Sequence, residues 1–136
     1  HPHPPLLPAD PVQRAMERRL VNHIACDIHP LNNLSILVYL QHSLGAEQEQ
    51  VDDWYRQWII RGFTGIEALV REGNGKYCMG GLPGMADCYL IPQVYNALRF
   101  NVAVNAYPAI LSIYHHCNTL EPFHLAHPDQ QAGNPQ

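Results

Sequence analysis

Three polar side chains stand in apolar surroundings in this 136-residue sequence, and they are its main candidates for chemistry. His29 and Asn33 are four positions apart, so on a continuous helix they share one face and offer hydrogen-bond donors and acceptors one turn from each other. Arg99 ends a long apolar segment and can hold a carboxylate through two parallel hydrogen bonds. From spacing alone, His29 and Asn33 could equally satisfy backbone groups freed by Pro30, and Arg99 could simply complement a helix dipole.

The sequence indicates neither a nucleophile nor a metal centre. It has no G-x-S-x-G elbow, no H-E-x-x-H motif, and no histidine beside cysteines at ligand spacing. His124 and His127 are three positions apart with Asp129 nearby, but this weak metal-binding pattern lies close to the end of the sequence. We therefore expect no catalytic residue and no metal site within this chain.

Composition narrows the class of protein further. Hydrophobic residues make up 46% and charged residues 15%, which excludes a largely disordered chain and hints at apolar surface that something else covers. A net charge of −4 with eight Lys and Arg argues against nucleic-acid binding, and no apolar run approaches the roughly 20 residues of a membrane span. The four cysteines show no C-x-x-C pairing, so we expect reduced, buried thiols in a cytoplasmic protein.

The candidate residues His29 and Asn33 belong to the first predicted element, one long bent helix. Asp10 followed by Pro11 is an N-cap with proline at the first helical position. Val12, Met16, Leu20, Ile24 and Ile28 then form an apolar stripe with a spacing of four. Pro30 should bend the helix, at roughly 3 kcal/mol, and Gly45 should end it. The bend would present His29 and Asn33 to a ligand beside the helix.

Further helices follow, and no segment has a convincing strand pattern, so the predicted class is all-α. A long helix is predicted from about Glu47 to Arg71, with an apolar face that packs in the core. After a glycine-rich loop, a central helix begins at Gly84, where Asp87 returns a hydrogen bond to the cap, and continues through Pro92 to Arg99. The last predicted elements are a helix from Pro108 and a short turn over 121–126.

Three regions are predicted along the chain. Residues 1–9 are proline-rich and should form an extended interdomain linker, with Leu6 and Leu7 as its anchors. Residues 10–128 form the helical domain, and residues 129–136 a mobile tail. An opening linker suggests that the chain is part of a longer protein.

Short motifs occur in a fixed order from Leu6 to Pro128. They include Leu6-Leu7-Pro8, Asp27-Ile28-His29-Pro30-Leu31-Asn32-Asn33-Leu34, Trp58-Ile59, Met85-Ala86-Asp87, Pro92-Gln93-Val94, Asn96-Ala97, Arg99-Phe100, Tyr107-Pro108 and His127-Pro128. In this order they resemble the C-terminal half of zeta-class glutathione transferases, which are maleylacetoacetate and maleylpyruvate isomerases. The resemblance implies the helical bundle of the glutathione-transferase C-terminal domain, without the N-terminal thioredoxin-like domain that holds glutathione in this family.

The resemblance also implies a function. The family is dimeric, and its first C-terminal helix forms one wall of the active-site cleft and much of the dimer interface. His29 and Asn33 match positions that contact glutathione, and Arg99 matches an arginine proposed to bind a substrate carboxylate. The implied reaction converts maleylacetoacetate to fumarylacetoacetate in aromatic amino-acid catabolism, with glutathione as the nucleophile. This chain would be inactive alone.

Two departures from the family pattern leave alternatives open. Gly84 replaces the Ser or Thr of a capping box, which should cost only a few tenths of a kcal/mol. Ser35 replaces a second substrate-side arginine of some bacterial members, which weakens maleylpyruvate as the substrate without excluding it. A non-catalytic interaction module of the same fold is the other alternative, although His29, Asn33 and Arg99 favour an enzyme.

Overall fold

Six α-helices account for most of residues 5–73 and 75–131, the part of the chain that the computed structural model describes. They are α1 (Pro11–Asn22), α2 (Leu34–His42), α3 (Gln48–Gly73), α4 (Met85–Arg99), α5 (Pro108–Asn118) and α6 (Glu121–Ala126). A π-helical segment (His23–Ile28) continues α1, and short 3₁₀ turns occupy Val104–Ala106 and Pro128–Gln130. Within the described ranges there is no strand, which confirms the all-α prediction. Residues 1–4 and 132–136, the outer parts of the predicted linker and tail, lie outside these ranges.

The prediction of one long bent helix is wrong, because the chain leaves the helix after Ile28 and starts a new one at Leu34. The first helix does begin as predicted, since Asp10 accepts a hydrogen bond from the backbone N–H of Gln13 at 2.8 Å. Asn33 is extended (φ −64°, ψ 143°) and its side chain caps α2. Pro30 lacks an N–H, and a capping asparagine three residues later makes restarting a helix more favourable than bending one.

The core lies where α1, the π-helical segment, α3, α4 and α5 meet. Helix α1 packs on α4, the π-helical segment packs on α3, and α5 packs on both α3 and α4. Phe63, Ile28 and Ile59 are completely buried at this junction. Gly62 is required there because a Cβ atom on it would overlap the side chain of Ile28. The predicted long second helix and central helix are therefore confirmed as core elements.

Helix α2 is an exception to the core packing, because none of its residues is buried. Its apolar side chains Leu34, Val38 and Tyr39 are exposed. At the N-terminal end of the bundle, Val12 and Met16 of α1 are also exposed, whereas the remaining three residues of the predicted stripe are buried. A helical spacing of apolar residues thus predicted the helices correctly but not which of those residues are buried.

The start of α4 joins several parts of the chain. As predicted, Asp87 accepts a hydrogen bond from the Gly84 N–H (2.8 Å), and it also accepts one from the Cys78 N–H (2.9 Å). Glu17 of α1 accepts from the Ala86 N–H (2.7 Å) and so takes over the role of a capping side chain. Burial is the largest cause that raises the pKa of the Glu17 carboxyl.

The linker is attached at the same place, since the Leu6 carbonyl accepts a hydrogen bond from the Met85 N–H at 2.8 Å. All four cysteines are free, but only Cys78 and Cys117 are buried, while Cys26 and Cys88 are exposed. The prediction of buried thiols was therefore right for two of the four. No helix in the described part of the chain is long and apolar enough to cross a membrane.

Candidate functional site

A cleft of about 490 Å³ opens between the π-helical segment and α4, and we call it the His29 cleft. One wall is formed by Ile24, Ala25 and His29, and the other by Cys88, Tyr89, Pro92, Gln93 and Asn96. Both walls are helical, so the side chains that face the cleft are held by elements packed into the core. A rigid cleft with a few polar groups on apolar walls is the usual form of a small-molecule site.

His29 lines this cleft and follows directly after the π-helical segment. Its backbone N–H donates to the Ile24 carbonyl at 2.8 Å, the wider spacing of a π turn. Pro30 follows, so the helix cannot continue and the histidine remains exposed at the break. Within the described ranges its imidazole has no hydrogen-bond partner, so it can serve as a donor or an acceptor for a ligand.

Asn33 is not among the residues that line the His29 cleft. Its Oδ1 accepts hydrogen bonds from the Ser35 backbone N–H (3.0 Å) and from the Ser35 hydroxyl (2.8 Å). The expectation that His29 and Asn33 share one helix face is wrong, because Asn33 is extended rather than helical. A role for Asn33 in glutathione binding stays a prediction.

Arg99 is the last residue of α4 and is exposed. Its guanidinium carbon lies 5.9 Å from the centre of the Tyr95 ring, within the range of a cation–π contact. It does not line the His29 cleft, but it follows the cleft residue Asn96 by three positions on the same helix. Burial raises the pKa of Tyr55, and the charge of Arg99 partly opposes that shift.

Sequence reasoning missed the polar side chains of the α4 wall. Tyr89, Gln93 and Asn96 recur at a spacing of four and three, so they form one polar stripe that faces the cleft. Gln93 is only 4% exposed, and its Nε2 atom is buried with no hydrogen-bond partner among the described residues. The available signal was a glutamine between the buried positions Leu90 and Val94 of an apolar helix.

Cys88 also lines the cleft, but its thiol is not activated. Although Cys88 is an exposed residue, partial burial of its thiol raises the pKa, and the neighbouring Asp87 carboxylate raises it further. A thiol with a raised pKa is protonated at neutral pH and is a poor nucleophile. The absence of a catalytic residue from this chain stays a prediction.

Another cavity, of about 270 Å³, lies next to the His29 cleft, between α4, α5 and α6, and the two share Cys88 and Pro92 in their walls. Its walls are mainly apolar and include Tyr95, Tyr114 and Phe123. His127, one member of the weak metal-binding pattern, lines this cavity, and its Nδ1 accepts from the Asp129 N–H at 3.3 Å. No group of three potential metal ligands occurs in residues 5–73 and 75–131.

The known proteins that this chain resembles in sequence also resemble it in fold. No family model matches the chain. A probable maleylacetoacetate isomerase of Vibrio cholerae is 41% identical over 96% of this chain and 61% of its own length. A solved maleylpyruvate isomerase, described as a bacterial zeta-class glutathione transferase, superposes with a TM-score of 0.96 at 41% identity, over 98% of this chain and 64% of that one.

A second solved structure, maleylpyruvate isomerase of Pseudomonas aeruginosa PAO1, has a TM-score of 0.94 at 38% identity, over 98% of this chain and 71% of that one. The helical bundle and its cleft define the chain as a helical domain of glutathione-transferase type. Among proteins with this type of domain, the chain agrees in both sequence and structure with members of the zeta class. The chain belongs to the zeta class of glutathione transferases. It spans about three fifths of the length of the curated relatives it matches (61%, 63% and 62%).

Some of the solved relatives contain ligands. Maleylacetoacetate isomerase of Anaeromyxobacter dehalogenans 2CP-1 was crystallised with dicarboxyethyl glutathione and citrate in its active site. That structure superposes with a TM-score of 0.93 at 38% identity, over 99% of this chain and 60% of that one. The compound named in that structure joins glutathione to a small dicarboxylate.

Proposed function

We propose that this chain is the helical, substrate-binding domain of a glutathione-dependent isomerase that converts maleylacetoacetate to fumarylacetoacetate in aromatic amino-acid catabolism. The observation that carries the proposal is the His29 cleft, which has hydrogen-bonding groups but no activated nucleophile, in a chain of the zeta class. Such a cleft fits a reaction whose nucleophile is a bound thiol. Among the described residues, neither the His29 imidazole nor the Gln93 side-chain nitrogen has a hydrogen-bond partner, which fits a polar ligand there.

The chemistry that bound glutathione supplies is reversible addition of its thiolate to the cis double bond, which permits rotation before elimination as the trans isomer. The chain's own residues bind and orient the reactants. His29 offers its imidazole to glutathione, and Asn33 can offer only its amide nitrogen, because Ser35 occupies its Oδ1 atom. Arg99 provides the cation that a dicarboxylate requires, at the exposed end of the α4 wall.

The proposal also includes a second domain of the same protein and a second subunit. A thioredoxin-like domain would hold glutathione against the His29 cleft, and residues 1–9 would link that domain to the helical domain (10–128). The hydrogen bond between Leu6 and Met85 supports this, since it fixes the linker to the start of α4. We place the protein in the cytoplasm as a homodimer, with exposed apolar residues of α1 and α2, such as Met16 and Val38, contributing to the interface.

Replacing Arg99 by alanine tests the proposal. In the intact gene product that contains this chain, Arg99→Ala should lower kcat/KM for maleylacetoacetate by about 10- to 100-fold, because a charge-assisted hydrogen bond is lost. Arg99→Lys should retain part of the activity, since it keeps the charge but not the paired geometry. Arg71→Ala, an exposed arginine at the end of α3, is the matched control and should be neutral. Full activity in Arg99→Ala would remove the substrate role of this residue.

Maleylpyruvate is the second candidate substrate, because two of the solved relatives are maleylpyruvate isomerases. The ratio of kcat/KM values for the two compounds in the same assay decides between them. Absence of activity towards both, together with absence of glutathione binding, would instead favour a non-catalytic interaction module.

A further inference from the structure

We propose that Gln93 binds the substrate in the His29 cleft, and that its side-chain amide donates a hydrogen bond to a carbonyl or carboxylate oxygen of the dicarboxylate. This inference rests on the proposed function and adds to it a residue that neither the sequence pattern nor the named candidates indicated. Arg99 would hold one end of the same molecule, and Gln93 would contact it deeper in the cleft.

The first observation is the unsatisfied amide itself. Gln93 is 4% exposed, and its buried Nε2 atom has no hydrogen-bond partner among the described residues. Buried donors in folded proteins are nearly always paired, because an unpaired one loses its hydration without compensation. The buried positions on either side of it in α4 are Leu90, Ile91, Val94 and Ala97, so an apolar residue would suit the core at position 93. Folding alone therefore does not account for a glutamine here.

The second observation is the position of Gln93 in the wall of the cleft. Gln93 lines the His29 cleft between Tyr89 and Asn96, on the wall opposite His29. Arg99 lies six residues further along α4, which corresponds to about 9 Å along a helix axis, a distance comparable with the length of a small dicarboxylate. Arg99 itself is exposed and lies outside the lining of the cleft, so a ligand that contacts both groups has to extend from the cleft towards the end of α4.

The chemistry of addition explains why a donor belongs there. When a thiolate adds to a double bond conjugated with a carbonyl group, negative charge moves onto the carbonyl oxygen. A donor that is already fixed in a water-poor site stabilises this charge without reorganisation, which is the principle of an oxyanion hole. Gln93 has that character, since it is fixed in a core helix and its amide is not occupied by the protein.

Glutathione also carries carbonyl and carboxylate oxygens, so the experiment must distinguish a contact of Gln93 with the dicarboxylate from a contact with glutathione. The test uses the intact gene product and the variant Gln93→Met, which keeps an unbranched side chain of similar size but has no donor. Gln57→Met is the matched control, since Gln57 is exposed on α3. Four quantities are measured: Tm of the free protein, Kd for glutathione, Kd for dicarboxyethyl glutathione, and kcat/KM.

For Gln93→Met we expect Tm to be unchanged or higher, because an unpaired buried donor has been removed. Kd for glutathione should not change, whereas Kd for dicarboxyethyl glutathione should rise about tenfold and kcat/KM should fall by a similar factor, the effect of one hydrogen bond. A lower Tm would assign Gln93 to the fold, and equal weakening of both ligands would assign it to glutathione. Either result overturns the proposal. It is also overturned if Gln93→Met leaves Kd for dicarboxyethyl glutathione and kcat/KM at their wild-type values.

The same measurements separate this inference from the proposed function. A wild-type protein that isomerises neither substrate, but whose binding of dicarboxyethyl glutathione is selectively weakened by Gln93→Met, would refute the proposed reaction and support the assignment of Gln93. A wild-type protein that isomerises maleylacetoacetate, with no effect of Gln93→Met, would support the reaction and refute the assignment.

Discussion

Two buried glutamates of this protein act on helices other than their own. Glu67 of α3 is 8% exposed, and its two carboxylate oxygens accept hydrogen bonds from the N–H groups of Ala109 and Ile110, each at 3.0 Å. These N–H groups belong to the first turn of α5, where no intrahelical acceptor exists and Tyr107 makes no side-chain cap. Glu67 therefore fixes the start of α5 against α3.

Replacing Glu67 by alanine should lower the free energy of unfolding by about 2 to 3 kcal/mol, because one buried and one part-buried N–H group lose their acceptor. Urea denaturation of the wild type and the variant measures this difference. Glu72→Ala is the control, since Glu72 is exposed near the end of the same helix, and it should change stability by less than about 0.5 kcal/mol. Equal effects of the two substitutions would contradict a capping role for Glu67.

At the scale of the elements, the start of α4 shows how a helix can be capped from outside. The usual Ser or Thr is replaced by Gly84, and the carboxylate of Glu17 supplies the missing acceptor to Ala86. A Cβ atom on Gly84 would overlap Glu17 Oε1, and Glu17 is only 1% exposed, so it has little room to move. Gly84 and Glu17 therefore form one unit.

This arrangement predicts that a better capping residue will destabilise the protein. Gly84→Ser should lower the free energy of unfolding by about 1 kcal/mol, because the added side chain displaces Glu17. With Glu17→Ala already present, the same substitution should be neutral or stabilising, since serine can then cap the helix. Thermal unfolding of the four proteins in this double-mutant cycle gives the coupling, and Gly81→Ser, at an open loop position, is the control. Strict additivity would show that Gly84 and Glu17 act independently.

The break between α1 and α2 is a second feature of the arrangement of the helices. Pro30 was expected to bend a helix, but Asn33 starts a new one, and α2 contacts α3 without burying any of its own residues. His29 owes its exposure to this break rather than to a kink. Its place in the cleft depends on the π-helical segment, which no local residue preference specifies.

At the scale of the whole molecule, exposed apolar residues are concentrated on α1 and α2, where the proposed homodimer interface lies. We expect the intact gene product to be a homodimer, because burial of apolar side chains such as Leu34, Val38 and Tyr39 is favourable. Size-exclusion chromatography with light scattering should give twice the mass of one chain. A single-chain mass at every concentration tested would refute the dimer.

The sequence by itself determined the all-α class, the start of α1 at Asp10 and Pro11, the long α3, the central α4 and the start of α5 at Pro108, because these depend on local spacing and capping residues. Only the tertiary structure decided that Glu17 and Glu67 cap distant helices, and that Gln93 lines a cleft with an amide nitrogen that has no partner among the described residues. These depend on contacts between residues far apart in the chain. Local sequence preferences contain no information about such contacts.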